Sequence, residues 1–271
     1  METLQSYLPV RVPSNVDLTL NLLGGWLGAV TAFSLEKLGA IDHWSRIRAH
    51  WFVDDARGAL VLLALWPVAL LFPTPVPLGL GQVMERLEAA LGDALQGTPF
   101  LAWLPVREVE LQPLLPSAAL LCAMLGVLIP CLLGYCIIRS KARRALFLIA
   151  TIAVGICATA LSDALSYGPS HAWGWFSLPV QVGLGAAFPV GLALLAMPRR
   201  ACAALLLLAL AVQLGVLNQA PASAYFSQTL QTWEQGRFIR FHGVIQWMGW
   251  LWPYVTLVYV LVRVSRREPG T

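Results

Sequence analysis

The first polar residues with a possible chemical role lie on one predicted transmembrane helix near the amino terminus. Asp17 opens this apolar run, and the same helix face then carries one polar residue and two small ones: Asn21, Gly24 and Gly28. A carboxylate inside a bilayer costs about 2.5–3.5 kcal/mol on insertion scales, so its presence needs a reason. Two interpretations stay open: a polar stripe that lines a cavity, or a packing seam in which Asp17 pairs with Arg11.

A second ionisable group lies near the end of a later apolar run. Asp163 is followed by Tyr167 one helical turn later, and by His171 beyond a Gly-Pro break. A carboxylate beside a histidine at a membrane surface could relay protons or serve as acid and base. The break leaves a second interpretation open, in which His171 is a solvated loop residue. His242, near the last apolar run, is a further candidate acid or base.

No pattern in the sequence predicts a metal ion, a cofactor or a nucleic acid. The four histidines are scattered without an H-E-x-x-H spacing, and the five cysteines form no C-x-x-C pattern. A P-loop, a G-x-S-x-G nucleophile motif and a dinucleotide fingerprint are also missing. The sequence therefore favours a role other than catalysis, while it leaves an enzymatic function open.

The chain that carries these residues is too apolar for a water-soluble fold. Of its 271 residues, 58% are apolar and 12% are charged, and the mean hydropathy is +0.70. An ordinary soluble domain has about 25% charged residues. The charges cluster between apolar stretches of about 20 residues, the length that crosses the hydrocarbon as a helix. Because a spanning segment must satisfy its own backbone hydrogen bonds, these stretches are predicted to be helices.

Apolar runs bounded by charges and prolines predict an all-α, polytopic bundle of about seven transmembrane helices. The runs lie near residues 16–35, 57–72, 114–138, 145–165, 177–197, 201–217 and 243–262. The second run is short and contains Pro67, so the alternative is a half-span there and six full spans. The fifth and sixth runs are separated only by Pro198 and two arginines, which predicts a tight helical hairpin.

The distribution of lysine and arginine predicts the orientation of the bundle. Thirteen of the eighteen fall in alternate segments on one side: Lys37, Arg46, Arg48, Arg57, Arg139, Lys141, Arg143, Arg144, Arg199, Arg200, Arg263, Arg266 and Arg267. The other five fall on the opposite side: Arg11, Arg86, Arg107, Arg237 and Arg240. The side richer in cations is normally the cytoplasm, so the amino terminus is predicted outside and the carboxyl terminus inside.

Three connecting segments, at residues 40–56, 73–113 and 218–242, are predicted to lie along the membrane surface. In the second, apolar residues recur every four positions at Val83, Leu87, Leu91 and Leu95, which indicates an amphipathic helix. Tryptophans cluster at the start of the last apolar run, as in an interfacial aromatic belt. Membrane lipids are therefore expected partners.

The opening segment resembles the last motif of the VanZ-like family of bacterial membrane proteins. That motif reads approximately E-x-x-Q, a short apolar stretch, R-x-x-S, then D, then N-x-x-G-x-x-x-G on a transmembrane helix. This chain matches it with Glu2, Gln5, Arg11, Ser14, Asp17, Asn21, Gly24 and Gly28. We therefore interpret residues 1–35 as the carboxyl-terminal portion of a VanZ-like domain and residues 36–271 as an additional transmembrane region.

The resemblance implies a multi-pass protein of the bacterial inner membrane with a role in the cell envelope. The family is named for a protein associated with low-level resistance to the glycopeptide teicoplanin. It also implies that the polar residues of the motif, from Glu2 to Asn21, are candidate ligand-binding residues. The family domain normally has earlier spans, so we expect either a start codon inside a longer gene, which an outside amino terminus favours, or an incomplete domain.

Three functions stay open from the sequence. The first is VanZ-like handling of a lipid-linked or glycopeptide ligand of the envelope. The second is a membrane enzyme that acts on a lipid or polysaccharide intermediate through Asp163, His171 or His242. The third is a structural subunit that packs with another membrane protein through two faces of small residues, Gly24-x-x-x-Gly28 and Gly183-x-x-x-Ala187-x-x-x-Gly191.

Overall fold

The computed structural model of this chain describes residues 15–37, 39–103, 111–221 and 244–265. Over these residues the regular structure is helical, apart from one isolated bridge between Phe52 and Ile138. The chain divides into two compact units, Met1–Trp51 and Phe52–Thr271. Several sequence candidates lie outside the described residues: Glu2, Gln5, Arg11, Ser14 and His242.

The first unit contains two helices, α1 (Asn15–Lys37) and α2 (Ala40–Trp51). Gly39 joins them with a φ of 63°, a left-handed conformation that favours glycine, and its N–H donates to the carbonyl of Glu36 at 3.0 Å. The apolar side chains of α1 remain exposed, including Leu22, Trp26 and Phe33. Because α1 covers residues 15–37, the first predicted run, at residues 16–35, is helical.

The second unit contains the remaining helices. They are α3 (Arg57–Ala69), α4 (Met84–Leu95), α5 (Pro116–Ile137), α6 (Lys141–Tyr167), α7 (Leu178–Ala193), α8 (Arg199–Leu217) and α9 (Val244–Ser265). Short 3₁₀ turns occupy Pro99–Trp103, Pro169–His171 and Leu194–Ala196. Five helices, α5 to α9, are long and apolar enough to cross a membrane when α7 is counted with the turn that extends it. The prediction of a multi-pass helical membrane protein is confirmed.

The predicted number of seven spans is not confirmed. α3 has 13 residues and contains Pro67, whereas the sequence predicted a run over 57–72. At 1.5 Å per residue such a helix is about 20 Å long, short of the roughly 30 Å of hydrocarbon. α1 is not among the five candidate spans found over the described residues. The length of α3 therefore fits the half-span alternative better than a full span.

α5 is the central helix of the second unit. Of its apolar window, 78% is buried, against 28–33% for the windows of α6 to α9. α7 and α8 pack most extensively on α5, α3 and α6 also touch it, and α9 packs on α3 and α8. The outward faces of the surrounding helices are apolar and uncovered, which is typical of contact with lipid.

The small residues of α7 pack against helices of the same chain. A Cβ atom on Gly183 would lie 2.5 Å from the carbonyl oxygen of Leu120, and one on Gly191 would lie 2.6 Å from the Leu148 side chain. Ala187 is fully buried between them. This face was one of two that could have served another membrane protein, and it is occupied within the fold.

One end of the second unit, which we call the arginine end, fixes the start of α3 to the end of α5. The Nε of Arg139 donates to the carbonyl of Phe52 at 2.7 Å, and its guanidinium pairs with Asp54 at 3.1 Å. The backbone N–H of Val53 donates to the carbonyl of Ile137 at 3.0 Å. These bonds anchor α3 where it enters the bundle.

Arg144 lies at the same end and is buried, with 6% of its surface exposed. Its guanidinium donates to the carbonyls of Tyr135 at 2.8 Å, Leu195 at 3.0 Å and Met197 at 2.8 Å. Carbonyls at the end of a helix have no partner within that helix. The sequence assigned Arg144 only to orientation, but the side chain also stabilises the ends of α5 and of the segment after α7.

Candidate functional site

The structure leaves the amino-terminal motif residues without described side chains. Asp17 and Asn21 belong to α1, but their side chains lie outside the described part of the chain, as do Glu2, Gln5, Arg11 and Ser14 in full. Within the first unit, no atom lies within 4 Å of the Cβ positions of Gly24 and Gly28. The small-residue face of α1 is therefore not covered by α2.

Asp163 and His171 lie at the same end of the second unit, opposite the arginine end. α6 ends at Tyr167, and Gly168 then reverses the chain with a φ of 100°. The turn brings the His171 imidazole and the backbone N–H of Trp175 into interaction with the Asp163 carboxylate. The Gly-Pro break therefore folds the histidine back towards the carboxylate, which the sequence had left open.

The Asp163 and His171 side chains are partly open to solvent and lie near aromatic residues. His171 is exposed, and its Nδ1 lies 3.1 Å from the Ser170 hydroxyl, while Asp163 is half-buried. The Trp175 indole is buried and donates to the carbonyl of Ala172 at 3.1 Å. Tyr167, the other predicted member, is half-buried as the last residue of α6. The carboxylate and the imidazole both lie at the surface of the bundle, where each could act as an acid or a base towards a bound group.

A second polar site, which the sequence did not predict, follows α3. Residues 70–83, which we call the re-entrant segment, are largely buried and non-helical. Prolines at 73, 75 and 77 exclude a helix here, because proline lacks the N–H and restricts the residue before it. The sequence predicted that the loop from 73 onward would lie at the membrane surface. The structure places its first part inside the bundle instead.

The re-entrant segment descends from one end of the bundle to about its middle and returns. At its start, the Ser162 hydroxyl near the end of α6 donates to the carbonyl of Leu71 at 2.9 Å. At its deepest point, the Leu78 backbone lies against Gly126, close to the middle of α5. At its end, the Asn218 side chain at the end of α8 accepts from the backbone N–H of Val83 and Met84.

Side chains from the surrounding helices satisfy the backbone of this segment. The Gly81 carbonyl accepts from the Tyr254 hydroxyl at 3.0 Å, and the Gly81 N–H donates to the carbonyl of Gly249 at 3.0 Å. The buried Gln213 amide lies 3.5 Å from the Leu78 carbonyl. Non-helical backbone at membrane depth is tolerated only where it is buried in protein or lines a water-filled cavity.

Gln82 ends the re-entrant segment with one side-chain atom unsatisfied. The residue is 6% exposed, and its Nε2 donates to the carbonyl of Ala220 at 2.6 Å. Its Oε1 is buried and has no hydrogen-bond donor among the described residues. A buried acceptor without a donor costs free energy of folding, so this position is a candidate for an additional hydrogen bond.

The amphipathic helix predicted after this segment is present as α4. Leu87 and Leu91 are exposed, so the described protein does not cover the apolar stripe. Arg86 lies over the Trp250 ring at 4.9 Å from its centre, and Trp250 also meets Phe72 edge-on. Burial against the bundle lowers the pKa of the Arg86 guanidinium, while the neighbouring Glu85 acts in the opposite direction. These contacts anchor the first turn of α4 to α9.

The sequence did not predict a role for Gln82, Gln213 or Asn218, because only ionisable groups were considered as candidates in this part of the chain. One signal was available: Gln213 interrupts a long apolar run, and a buried amide must find partners. Among the described residues, no three histidine, cysteine, aspartate or glutamate side chains group as metal ligands. The chain matches no protein-family model, no curated protein and no solved structure.

Proposed function

We propose that the chain is a VanZ-like protein of the bacterial inner membrane that binds a lipid-linked or glycopeptide ligand of the cell envelope. The opening motif supports the family, and five membrane-spanning helices fit it. The observation that carries a binding role is the distribution of polar groups. Arg139, Arg144 and Arg199 lie at one end of the bundle, and Asp163 and His171 lie at the other.

The positions of these charged and polar groups predict how the bundle is oriented across the membrane. If the arginine end is cytoplasmic, as the excess of cations favours, Asp163, His171 and the mouth of the re-entrant segment lie on the envelope side. Reporters fused after Thr271 test this orientation. A fluorescent protein that folds only in the cytoplasm should fluoresce, and alkaline phosphatase should stay inactive. The opposite pair of results would reverse the orientation and remove the envelope-side site.

The binding role is tested in a bacterium that expresses the full chain. We expect Arg11→Ala and Asp17→Asn each to return teicoplanin susceptibility to that of cells without the protein, because each removes a charge that would meet a polar ligand. Asp55→Asn, an exposed carboxylate at the arginine end, is the matched control and should change nothing. Normal protein levels with unchanged susceptibility in all variants would refute the site.

A membrane enzyme acting on a lipid or polysaccharide intermediate is the second candidate. It is favoured by the position of Asp163 and His171 at the same end of the bundle, where acid–base groups could meet one substrate. Mass spectrometry of extracted lipids and envelope polysaccharide from cells with the wild type, Asp163→Asn or His171→Gln would test it. A species that accumulates with both variants supports the enzyme, and identical profiles argue against it.

A further inference from the structure

The prolines of the re-entrant segment prevent a helix there, and uncharged side chains from the surrounding helices hold the segment in place. An ordinary spanning helix would satisfy its own backbone, whereas this segment relies on a hydroxyl from Ser162 and amides from Gln213 and Asn218. Discontinuous helices at membrane depth commonly form binding sites, because their free backbone groups can face a ligand. The groups around this segment that could meet a ligand are therefore amides, hydroxyls and carbonyls.

Gln82 is the one side chain of the segment that points to an occupant. Its Nε2 is fixed by the Ala220 carbonyl at 2.6 Å, so the amide cannot turn to exchange its two ends without losing that bond. Its Oε1 is therefore held as an acceptor, and no described residue donates to it. The residue is more than nine-tenths buried, so bulk water does not solvate this oxygen freely.

We propose that Gln82 Oε1 accepts a hydrogen bond from a small, uncharged ligand, or from an uncharged part of a larger one, seated beneath the turn at Ala220. The bonding group is a hydroxyl or an amide N–H. A cation would be a poor occupant, because the side chains that hold the segment carry no negative charge and a buried charge needs a partner. This site is independent of the amino-terminal motif and of the envelope role.

A reporter cysteine next to Gln82 tests this site in the full chain, in nanodiscs. Ala220→Cys places a thiol on the residue whose backbone carbonyl holds the Gln82 amide and leaves Gln82 intact, and Cys157→Ser removes the exposed native cysteine. The thiols react with neutral methyl methanethiosulfonate or with its cationic trimethylammonium analogue, and mass spectrometry reads each position. The buried native Cys131, which lies outside the cluster around Ala220, serves as the reference inside the same molecule.

We expect the neutral reagent to modify the Ala220→Cys thiol at least ten-fold faster than Cys131. It should also react there faster than the cationic reagent, relative to the rates of the two reagents with the exposed Asp93→Cys thiol. Glycerol, a hydroxyl donor, or N-methylacetamide, an amide donor, should slow this reaction at least three-fold. The two probes distinguish the two sources of the bond. In Gln82→Met, which keeps the size but removes the acceptor, the protection should disappear.

Several results would overturn the inference. If the Ala220→Cys thiol reacts no faster than Cys131, the position is sealed and no ligand reaches it. If the cationic reagent reacts as readily as the neutral one, the site is not selective for uncharged groups. If neither probe protects, or if Gln82→Met is protected equally, Gln82 does not bind them. None of these results bears on teicoplanin susceptibility, so the envelope proposal stands or falls separately.

Discussion

Leu78 and Gly126 meet backbone to backbone at about half the depth of the central helix. A Cβ atom on Gly126 would lie 2.5 Å from the Leu78 carbonyl oxygen and 2.7 Å from its Cβ. A real Cβ atom cannot approach a backbone oxygen so closely. The absence of a side chain at Gly126 therefore allows the re-entrant segment to reach the middle of α5.

Gly126→Ala should lower the free energy of unfolding by about 1–3 kcal/mol, as overpacking of a filled core does. The backbone of Leu78 is held on both sides and cannot retreat cheaply. Thermal unfolding in a mild detergent measures the change. Gly185→Ala in α7 is the matched control, because nothing lies within 4 Å of its Cβ position, and it should be neutral or stabilising. Equal effects would contradict the contact.

Leu78→Val should destabilise the protein more than Leu80→Val does. Each change removes one methylene from a buried leucine, worth about 0.8 kcal/mol. Leu78 has a φ of 61°, however, and a β-branched residue is disfavoured in the left-handed region more strongly than leucine, so this variant loses additional stability. Unfolding of the two variants under the same conditions gives the difference. A Leu80 variant that is equally or more destabilised would show that the turn is not strained.

Arg144→Lys should lower the free energy of unfolding although it keeps the charge. A lysine cannot hold three carbonyls in the geometry of the guanidinium fork, and each charge-assisted bond contributes about 1.5–3 kcal/mol. We expect a loss of about 2 kcal/mol or more. Arg200→Lys, exposed at the same end, is the control and should change little. Orientation, measured with the terminal reporters, should be the same in both variants, since the net charge is unchanged.

Asn218→Ala should loosen α4 without unfolding the bundle. Its Oδ1 accepts from the N–H groups of Val83 and Met84 at 3.2 and 3.0 Å, so it caps the helix from a different part of the chain. Losing such a cap costs about 1 kcal/mol. Hydrogen exchange in residues 84–90 should then quicken several-fold, while exchange in α5 stays unchanged. The adjacent exposed Gln219→Ala tests specificity, and equal exchange in both variants would refute the cap.

The sequence determined the long helices closely, because one physical quantity sets them. The predicted runs 114–138 and 177–197 became helices over 116–137 and 178–196, since the thickness of hydrocarbon fixes how many apolar residues a span needs. The amphipathic α4 followed from an equally local pattern, whereas α7 and α8, which were predicted to form a tight hairpin at Pro198, both pack on α5 and not extensively on each other. Each of these features depends only on residues close together in the chain.

Only the tertiary structure decided which polar groups meet. Hydropathy records that Arg144 is charged, but the carbonyls that it binds belong to other helices. Prolines 73, 75 and 77 rule out a helix, yet the same pattern suits an exposed loop and a buried one. The return of His171 to Asp163 and the burial of Gln82 likewise depend on partners distant in sequence. Such partners become neighbours only when the helices pack, because packing, unlike the length of a span, is set by contacts between helices.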